Sequence, residues 1–424
     1  MLEATLNNSQ IILQETNVIK YIYKNKYIYL IYRMDKPVLY HEVTPENNVS
    51  STSGFQEHNS IDFVLSADGR VLKQNSIRVD FDVQAFTDVA AGTRVTAAAR
   101  IAIENKIGGH SFFSNWRTEA QSSGLLETIS DYPRWVNMVS SASMPEESFF
   151  SSKYQAEGRG VLVDDGRYAI QAVNPRVLPR ASQGGDADYD GMATDARFSI
   201  SPLICVNRSM GGSYSFNKNG AIRISVDCAR VGAALFGGDL NANAGAGYKL
   251  KNVRLRFMSE PDSGSESKML MNTVVGIKQT VNSQFANISS RVPLKACNGV
   301  AISYLTQSKE TGRLDNSYQL ESFPQQRSIS YLFSDATNKY ITYRMTDRED
   351  ILRKGLDAIS DSGVSGVDPA HIKGNNGTIN GLGFQSYLDL SKQKFSVQLE
   401  SSSVLLGAQP RNVYLFFLGM IELQ

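Results

Sequence analysis

The sequence has few of the residues from which metal centres and disulfide frameworks are built. Its 424 residues include three cysteines, and these have no CxxC spacing: Cys205, Cys228 and Cys297. An odd, sparse set of this kind excludes a disulfide framework and a cysteine zinc site. No two of the four histidines lie within five residues of each other, so HExxH and related metal-binding pairs are absent. We therefore expect buried, reduced thiols and no metal centre.

Net charge and long apolar runs are nearly absent as well. Lys and Arg number 43 against 42 Asp and Glu, a formal charge of +1, so no overall field attracts nucleic acid. No apolar run approaches the roughly 20 residues that a membrane-spanning helix needs. The sequence also has no P-loop, dinucleotide fingerprint or G-x-S-x-G elbow. These absences predict no catalytic residues, no cofactor and no specific nucleic-acid binding, and they favour a structural protein over an enzyme.

Residues 1–33 differ in composition from the rest of the chain. They hold five of the 19 tyrosines and no Gly, Pro or Asp. One hypothesis is that they are translated upstream sequence and that the natural start is Met34. The other is an arm that docks on a neighbouring molecule or an internal membrane through its Tyr and Lys side chains. N-terminal mass spectrometry of native material distinguishes the two hypotheses.

From Met34 onward, apolar and polar residues alternate with the period of a β-strand. The stretch "IRVDFDVQAF" (77–86) is typical of a half-buried strand. "GVLVDDGRYAIQAV" predicts a hairpin with Asp165 and Gly166 at its turn. Further strands are predicted by "AIRISVDCARV", "YKLKNVRLRF", "MLMNTVVGIKQTV", "NGVAISYL", "SYQLESF", "RSISYLF", "KFSVQLESSSVLL" and "RNVYLFFLGMIEL".

The polar stretch "MSEPDSGSESK" (258–268) is the best candidate for a linker between domains. It divides the chain into an N-terminal extension (1–33), a first domain (34–258) and a second domain (259–424). Many short strands with few helices favour antiparallel sandwiches over a parallel α/β sheet. We expect an all-β protein of two tandem eight-stranded antiparallel jelly rolls, with short helices in the connecting loops.

Two stretches have helical spacing. In and just after "SSGLLETISDYPRWVNM" (122–138), apolar residues have the spacing of one helix face, which predicts a short amphipathic helix that Pro133 breaks or kinks: Leu125, Ile129, Tyr132, Val136 and Met138/Val139. In "TDREDILRKGLDAI" (346–359), Thr346 and Glu349 form a capping-box signature ahead of a second helix.

One acidic cluster has the spacing of a calcium loop. In "DADYDGMATDAR", three aspartates and a glycine match the first half of an EF-hand loop: Asp186, Asp188, Asp190 and Gly191. The position of the bidentate Glu is occupied by Arg197, and no helices flank the loop. We therefore interpret it as a solvated polar loop, with calcium binding as the lesser alternative.

The run "HSFFSNWRTEAQSSGLLETISDYPRWVNM" (110–138) resembles a segment of the major capsid proteins of polinton-like viruses and virophages. The stretches "FSISPLICVNRSM", "GAIRISVDCARVGAALFG", "GYKLKNVRLRF", "GFQSYLDLSKQKFSVQLESSS" and "NVYLFFLGMIEL" are similar to other parts of that family. The resemblance covers roughly residues 35–424. This sequence departs from the family pattern at Pro133, and its residues 1–33 have no counterpart in the family.

The resemblance implies a double jelly-roll major capsid protein of an icosahedral double-stranded DNA virus. Such a protein assembles inside the host cell as pseudo-hexagonal homotrimers that tile the virion shell. It implies penton and minor capsid proteins as partners, and contact with an internal membrane is a further expectation. A carbohydrate-binding or carbohydrate-active β-sandwich protein is the alternative from another class, and a viral spike or fibre protein is a third.

Within this interpretation, one group of apolar residues is expected to bury against the barrel or a neighbouring subunit: Phe112, Phe113, Trp116, Trp135 and Val136. For Trp135 the sequence leaves open whether it completes its own domain core or anchors a subunit interface. The long segments 141–197 and 360–383 are candidates for the outer, host-facing surface.

Overall fold

The computed structural model describes residues 38–47, 54–94, 103–104, 106–143, 156–159, 196–208, 212–262, 264, 269–313, 317–334, 339–361, 379–402 and 409–423. For residues 5–7, 10–15, 18–23 and 30–33 it describes the backbone. The predicted hairpin at 160–173 and the cluster of Asp186, Asp188 and Asp190 lie outside these residues.

The N-terminal region contributes a four-stranded antiparallel sheet of its own. Its strands pair in chain order: β1 (Thr5–Asn7), β2 (Gln10–Glu15), β3 (Val18–Tyr23) and β4 (Leu30–Arg33). Whether residues 1–33 belong to the mature protein stays an open prediction.

The next ten strands build a first sandwich: β5 (Leu39–Val43), β6 (Ser60–Leu65), β7 (Arg70–Leu72), β8 (Arg78–Asp88), β9 (Thr93–Arg94), β10 (Phe113–Ala120), β11 (Gly124–Ile129), β12 (Ala196–Ile200), β13 (Ile222–Cys228) and β14 (Gly247–Pro261). One sheet has the order β12-β8-β14-β5, with short β7 and β9 attached, and the facing strands have the order β11-β10-β13-β6. These are the two four-stranded orders of a jelly roll.

The last eight strands repeat this arrangement: β15 (Met269–Val281), β16 (Phe285–Ser290), β17 (Cys297–Thr306), β18 (Gln326–Ser334), β19 (Lys339–Met345), β20 (Ile379–Leu388), β21 (Lys394–Ser401) and β22 (Arg411–Leu423). Their orders are β20-β17-β22-β15 and β16-β21-β18-β19. The order β20-β17-β22-β15 corresponds to β12-β8-β14-β5 of the first sandwich. The order β16-β21-β18-β19 corresponds to β6-β13-β10-β11. The expected fold, two tandem antiparallel jelly rolls, is confirmed.

Two predicted boundaries shift in the structure. The stretch 317–323, predicted as a strand, makes a single β-bridge, between Tyr304 and Glu321. Strand β14 extends to Pro261, so the first four residues of the predicted linker lie in a strand whose side chains still alternate inward and outward. The domain boundary at 258/259 remains a prediction.

The helices are short and lie in the connections. They are α1 (Tyr132–Ser143), α2 (Phe216–Asn219), α3 (Val231–Ala234), α4 (Gly238–Ala242), α5 (Gln307–Thr311) and α6 (Arg348–Asp361), with 3-10 turns at Gly108–Phe112 and Cys205–Asn207. Among the described residues, no helix is both long and apolar enough to cross a membrane.

The predicted helix over 122–138 begins only at Tyr132, and the prediction that Pro133 breaks it was wrong. Residues Gly124–Ile129 form strand β11, and Asp131, with a φ of 53°, turns the chain before α1 starts at Tyr132. Pro133 therefore lies in the first turn of α1. An N–H in the first turn has no intrahelical partner, so proline costs nothing there and its fixed φ suits the helix.

Helix α6 confirms the second predicted helix but has a different cap. The backbone N–H of Ile351 donates to the carbonyl of Asp347 at 3.0 Å, and the N–H of Glu349 donates to the Asp347 carboxylate at 3.4 Å. Asp347 is therefore the N-cap residue, and the predicted capping box began one position too early.

The apolar core of the first jelly roll continues into the second. It fills the space between the first roll's sheets, passes under α1 and reaches Phe416 and Leu418 of β22 and Leu356 of α6. A second cluster fills the space between the two sheets of the second roll, around Ile302, Phe395 and Phe417. The two rolls thus share buried surface.

Candidate functional site at the junction of the two jelly rolls

The two jelly rolls are joined edge to edge. Strand β11 of the first roll runs parallel to β15 of the second and pairs with it at Thr128 and Val275. This pairing makes one eight-stranded sheet with the order β20-β17-β22-β15-β11-β10-β13-β6. We call this parallel contact the seam.

One side chain from each strand extends the seam beyond its backbone pairing. The Val274 N–H donates to Oε1 of Glu127 at 2.9 Å, and the Thr273 hydroxyl donates to the carbonyl of Leu126 at 2.9 Å. Glu127, Thr273 and Val274 are each at most 1% exposed. In a dry interior these bonds satisfy groups that would otherwise be costly to bury.

Glu127 also fixes the connection between β12 and β13. Its carboxylate accepts from the Cys205 N–H and from Nη2 of Arg208, each at 2.7 Å. Burial raises the pKa of Glu127, while the Arg208 guanidinium and the backbone N–H groups of Cys205 and Val274 act in the opposite direction. One buried carboxylate therefore holds together β11, the connection after β12, and the first strand of the second roll.

A glycine permits the close approach of the two edges. A Cβ at Gly276 on β15 would lie 2.7 Å from the carbonyl oxygen of Ser130 and 3.1 Å from its nitrogen. A side chain at this position would push the end of β11 away from β15.

Helix α1 wedges against the second roll with polar side chains that are buried. The Arg134 guanidinium donates to the carbonyls of Gln319 at 3.0 Å and Ser317 at 2.5 Å. The Asn137 amide donates to the carbonyl of Tyr318 at 2.8 Å. Three successive carbonyls of the segment before β18 are thus held by two side chains of one helix.

All five apolar residues that were predicted to be buried are buried by contacts within this chain. Phe112, Phe113, Trp116, Trp135 and Val136 are each at most 1% exposed. The Trp135 ring lies 5.5 Å from that of Phe416 on β22, centroid to centroid. Trp135 is therefore an anchor between the two rolls of one chain. The sequence had left open the core of its own domain or a subunit interface, and this position is neither of the two.

A second buried polar cluster lies beneath α1. His110 Nδ1 is 2.9 Å from the Tyr132 hydroxyl, and its Nε2 is 2.9 Å from Nη2 of Arg159. Arg159 Nε lies 2.9 Å from the Glu157 carboxylate, and its Nη1 donates to the Ser140 hydroxyl at 2.9 Å. The cluster pins residues 156–159 under the helix, so His110 is a structural histidine.

The other sequence predictions concern a metal site, the cysteines and two long segments. Within the described ranges, no group of three His, Cys, Asp or Glu could hold a metal ion. All three cysteines are buried and free, as expected. Most of 141–197 and 360–383 lies outside the described residues, and their exterior placement stays a prediction.

Sequence reasoning missed the polar residues of the junction because charged side chains are usually exposed. For Glu127 a signal existed: it lies two positions before Ile129 on β11 and shares that residue's buried face. Arg134 had no such signal, because its partners are backbone carbonyls nearly two hundred residues away.

Two complete rolls fused through a parallel seam define a double jelly-roll protein. The Faustovirus major capsid protein has this fold, with a TM-score of 0.55 and 10% identity over 94% of this chain and 93% of that one. The Sputnik virophage structure gives 0.48 and 10% over 94% and 88%, and the mavirus major capsid protein 0.47 and 9% over 94% and 90%. No family model and no curated protein matches the sequence. The resemblance seen in the sequence is confirmed at the level of the fold.

Proposed function

We propose that the chain is the major capsid protein of an icosahedral double-stranded DNA virus and that it assembles as homotrimers. The observation that carries the proposal is the seam. It holds two equivalent jelly rolls side by side as one unit with a shared core. A likeness to a major capsid protein that spans 94% of this chain supports the same conclusion.

The double roll gives a geometric reason for a trimer. Each chain supplies two similar wedges, so three chains supply six, and six similar wedges around one axis make a pseudo-hexagonal outline. Hexagonal outlines tile a shell, whereas the five-fold vertices of an icosahedron need a different, penton protein. Minor capsid proteins and an internal membrane are further partners to be tested.

The proposed role is structural, in the virion shell, and its mechanism is assembly rather than catalysis. A rigid double roll suits this role, because a lattice of identical units requires every unit to present the same edges at the same angles. The buried bonds of Glu127 and Arg134 supply that rigidity in this chain.

Light scattering after size exclusion tests the proposal. Three chains of 46.7 kDa give about 140 kDa, and an obligate trimer keeps this mass on dilution. Two-dimensional electron-microscopy classes with a hexagonal outline would then separate a capsomer from a spike. A chain that stays monomeric would contradict the proposal, and glycan binding by that monomer would favour the carbohydrate-binding alternative.

A further inference from the structure

Among the residues that the structure describes, two strand edges lack the partner that their counterparts in the jelly-roll repeat have. In the first roll, β11 pairs with β10 and, across the seam, with β15. Its counterpart in the second roll, β19, pairs with β18 and ends its sheet. Similarly, β15 pairs with β22 and β11, whereas its counterpart β5 pairs with β14 and ends its sheet.

The other sheet ends behave differently. Strands β6 and β16 are counterparts, as are β12 and β20, and all four end their sheets in the described part of the chain. The edge of β6 is also closed by the preceding connection. The Glu46 N–H donates to the Asp62 carbonyl at 2.8 Å, and the Asp62 N–H donates to the Asn47 side chain at 3.0 Å. An open edge that is neither capped nor paired invites another strand.

We propose that the β19 edge of one copy pairs with the β5 edge of a second copy, repeating between chains the seam that joins β11 to β15 within a chain. This inference rests on the proposed trimer and names its interface. The contact is heterologous, since each copy offers β19 on one side and β5 on the other. A heterologous contact makes a closed ring when its rotation closes. In the trimer, three seams within chains alternate with three between chains.

The surface of both edges fits this use. On β5, Leu39 is 43% exposed and Tyr40 is 78% exposed, and on β19, Tyr343 is 37% exposed. Large apolar side chains are thus accessible to a second copy at both edges, and they provide positions at which the pairing can be tested.

The seam between copies is expected to be the weaker of the two. Within the chain, α1 packs on β22, the strand next to β15, where Arg134 contacts Tyr414 and Trp135 contacts Phe416. The corresponding face beside β5 carries Arg254 and Arg256, whose side chains are 50% and 49% exposed. A charged face of this kind does not bury an apolar helix, so the contact between copies relies on the strand edges and their exposed side chains.

Cysteine crosslinking tests the pairing. The double variant Tyr40→Cys/Tyr343→Cys is purified, its mass is measured by light scattering, and it is treated with a short bismaleimide. We expect a denaturing gel to show covalent dimers and trimers. Because the contact is heterologous, neither single variant should give a covalent dimer. The three native cysteines are buried and should not contribute.

A matched control uses the opposite edge of the same sheet. Phe285 on β16 is 58% exposed, so the second thiol of Tyr40→Cys/Phe285→Cys is expected to be at least as accessible as the one at position 343, which is 37% exposed. It should give no ladder. A stable trimer without a ladder from the first pair, or with an equal ladder from the control pair, would overturn the edge pairing and leave the trimer standing. A single variant that forms covalent dimers would also overturn it. A monomeric wild-type chain would overturn the proposed function itself.

Discussion

The guanidinium carbon of Arg134 lies 4.0 Å from the centroid of the Tyr414 ring, so a helix between β11 and β12 of the first jelly roll is stacked on the last strand of the second. Arg134 is 1% exposed and Tyr414 is 1% exposed. A cation on an aromatic face is worth most where water is excluded, and the two carbonyls that Arg134 also binds make its position specific.

Replacement of Arg134 should therefore loosen the junction. Arg134→Met keeps apolar bulk but leaves the carbonyls of Ser317 and Gln319 unpaired, so we expect a loss of about 3 kcal/mol in the free energy of unfolding. Arg134→Lys should lose less, because it keeps the charge. Urea denaturation measures both. The control is Arg254→Met, whose exposed ion pair with Glu42 is worth at most about 1 kcal/mol. Equal losses for Arg134→Met and Arg254→Met would refute the role assigned to Arg134.

Glu127→Gln should destabilise the protein by about 2–4 kcal/mol. The new amide NH2 would set a donor against the N–H of either Cys205 or Val274, and Arg208 loses its buried counter-ion. Denaturation of the single variants and of Glu127→Gln/Arg208→Met gives the coupling between the two side chains. We expect the double variant to lose less than the sum of the singles.

The comparison for Glu127 is Glu119→Gln on the neighbouring strand. Glu119 is 29% exposed and pairs with Arg117, which is 58% exposed. Its loss should stay within about 0.5 kcal/mol. If the losses in the free energy of unfolding at Glu127 and Arg208 were strictly additive, the two side chains would not be coupled, and Glu127 would not hold the connection after β12 to the seam through Arg208.

Gly276→Ala tests the close approach of the two strand edges. The added methyl would meet the Ser130 backbone at 2.7 Å, so we expect a loss of about 2 kcal/mol or more. Gly312→Ala is the matched control, because its nearest contact is 3.3 Å away and its φ of −70° suits alanine. Hydrogen exchange at Val274 and Val275 should rise in Gly276→Ala alone. Unchanged exchange would show that the edges tolerate a side chain.

Glu321 should make the second roll sensitive to acid. Burial favours a raised pKa, but hydrogen bonds from Lys309 and from the hydroxyl and N–H of Thr306 outweigh it and lower the pKa of Glu321 to about 2, from 4.5. A lowered carboxyl pKa means that the stabilisation is present above pH 4.5 and disappears as the pH falls from 4.5 towards 2. The Glu321 side chain is 16% exposed, so we expect the loss to be about 2 kcal/mol after screening.

The urea midpoint from pH 5 to pH 2 checks this expectation. The wild-type chain should lose more stability over this range than Glu321→Gln, which has no carboxyl to protonate. Parallel curves for the two proteins would mean that Glu321 has an ordinary pKa in the folded state.

Local sequence patterns were sufficient for most strands. Alternation in β13 and β14 reflects which side chains face a core, and that depends only on the two-residue repeat of a strand. Helix α6 was predictable for the same reason, from its own periodicity. The jelly-roll class followed from the number of short strands and the scarcity of helices, and the resemblance to a capsid family gave the double arrangement.

Where two local patterns competed, the sequence could not decide. Leu125 and Ile129 fit helical spacing with Tyr132, yet they belong to β11, because pairing with β10 supplies hydrogen bonds that an isolated helical turn lacks. Pro133 suggested a break where the chain in fact begins a helix. The stretch 317–323 alternates like a strand but finds no neighbouring strand to pair with beyond one bridge.

The amino-acid sequence by itself thus determined most of the strands, the second helix, the buried free cysteines and the class of fold. Only the tertiary structure decided which edges meet and which charged groups are buried. Glu127 meets Val274, and Arg134 meets Ser317, across separations of 147 and 183 residues. Such partners come together only when two sheets have formed, since a strand edge and a buried charge are each satisfied by groups that no local pattern specifies.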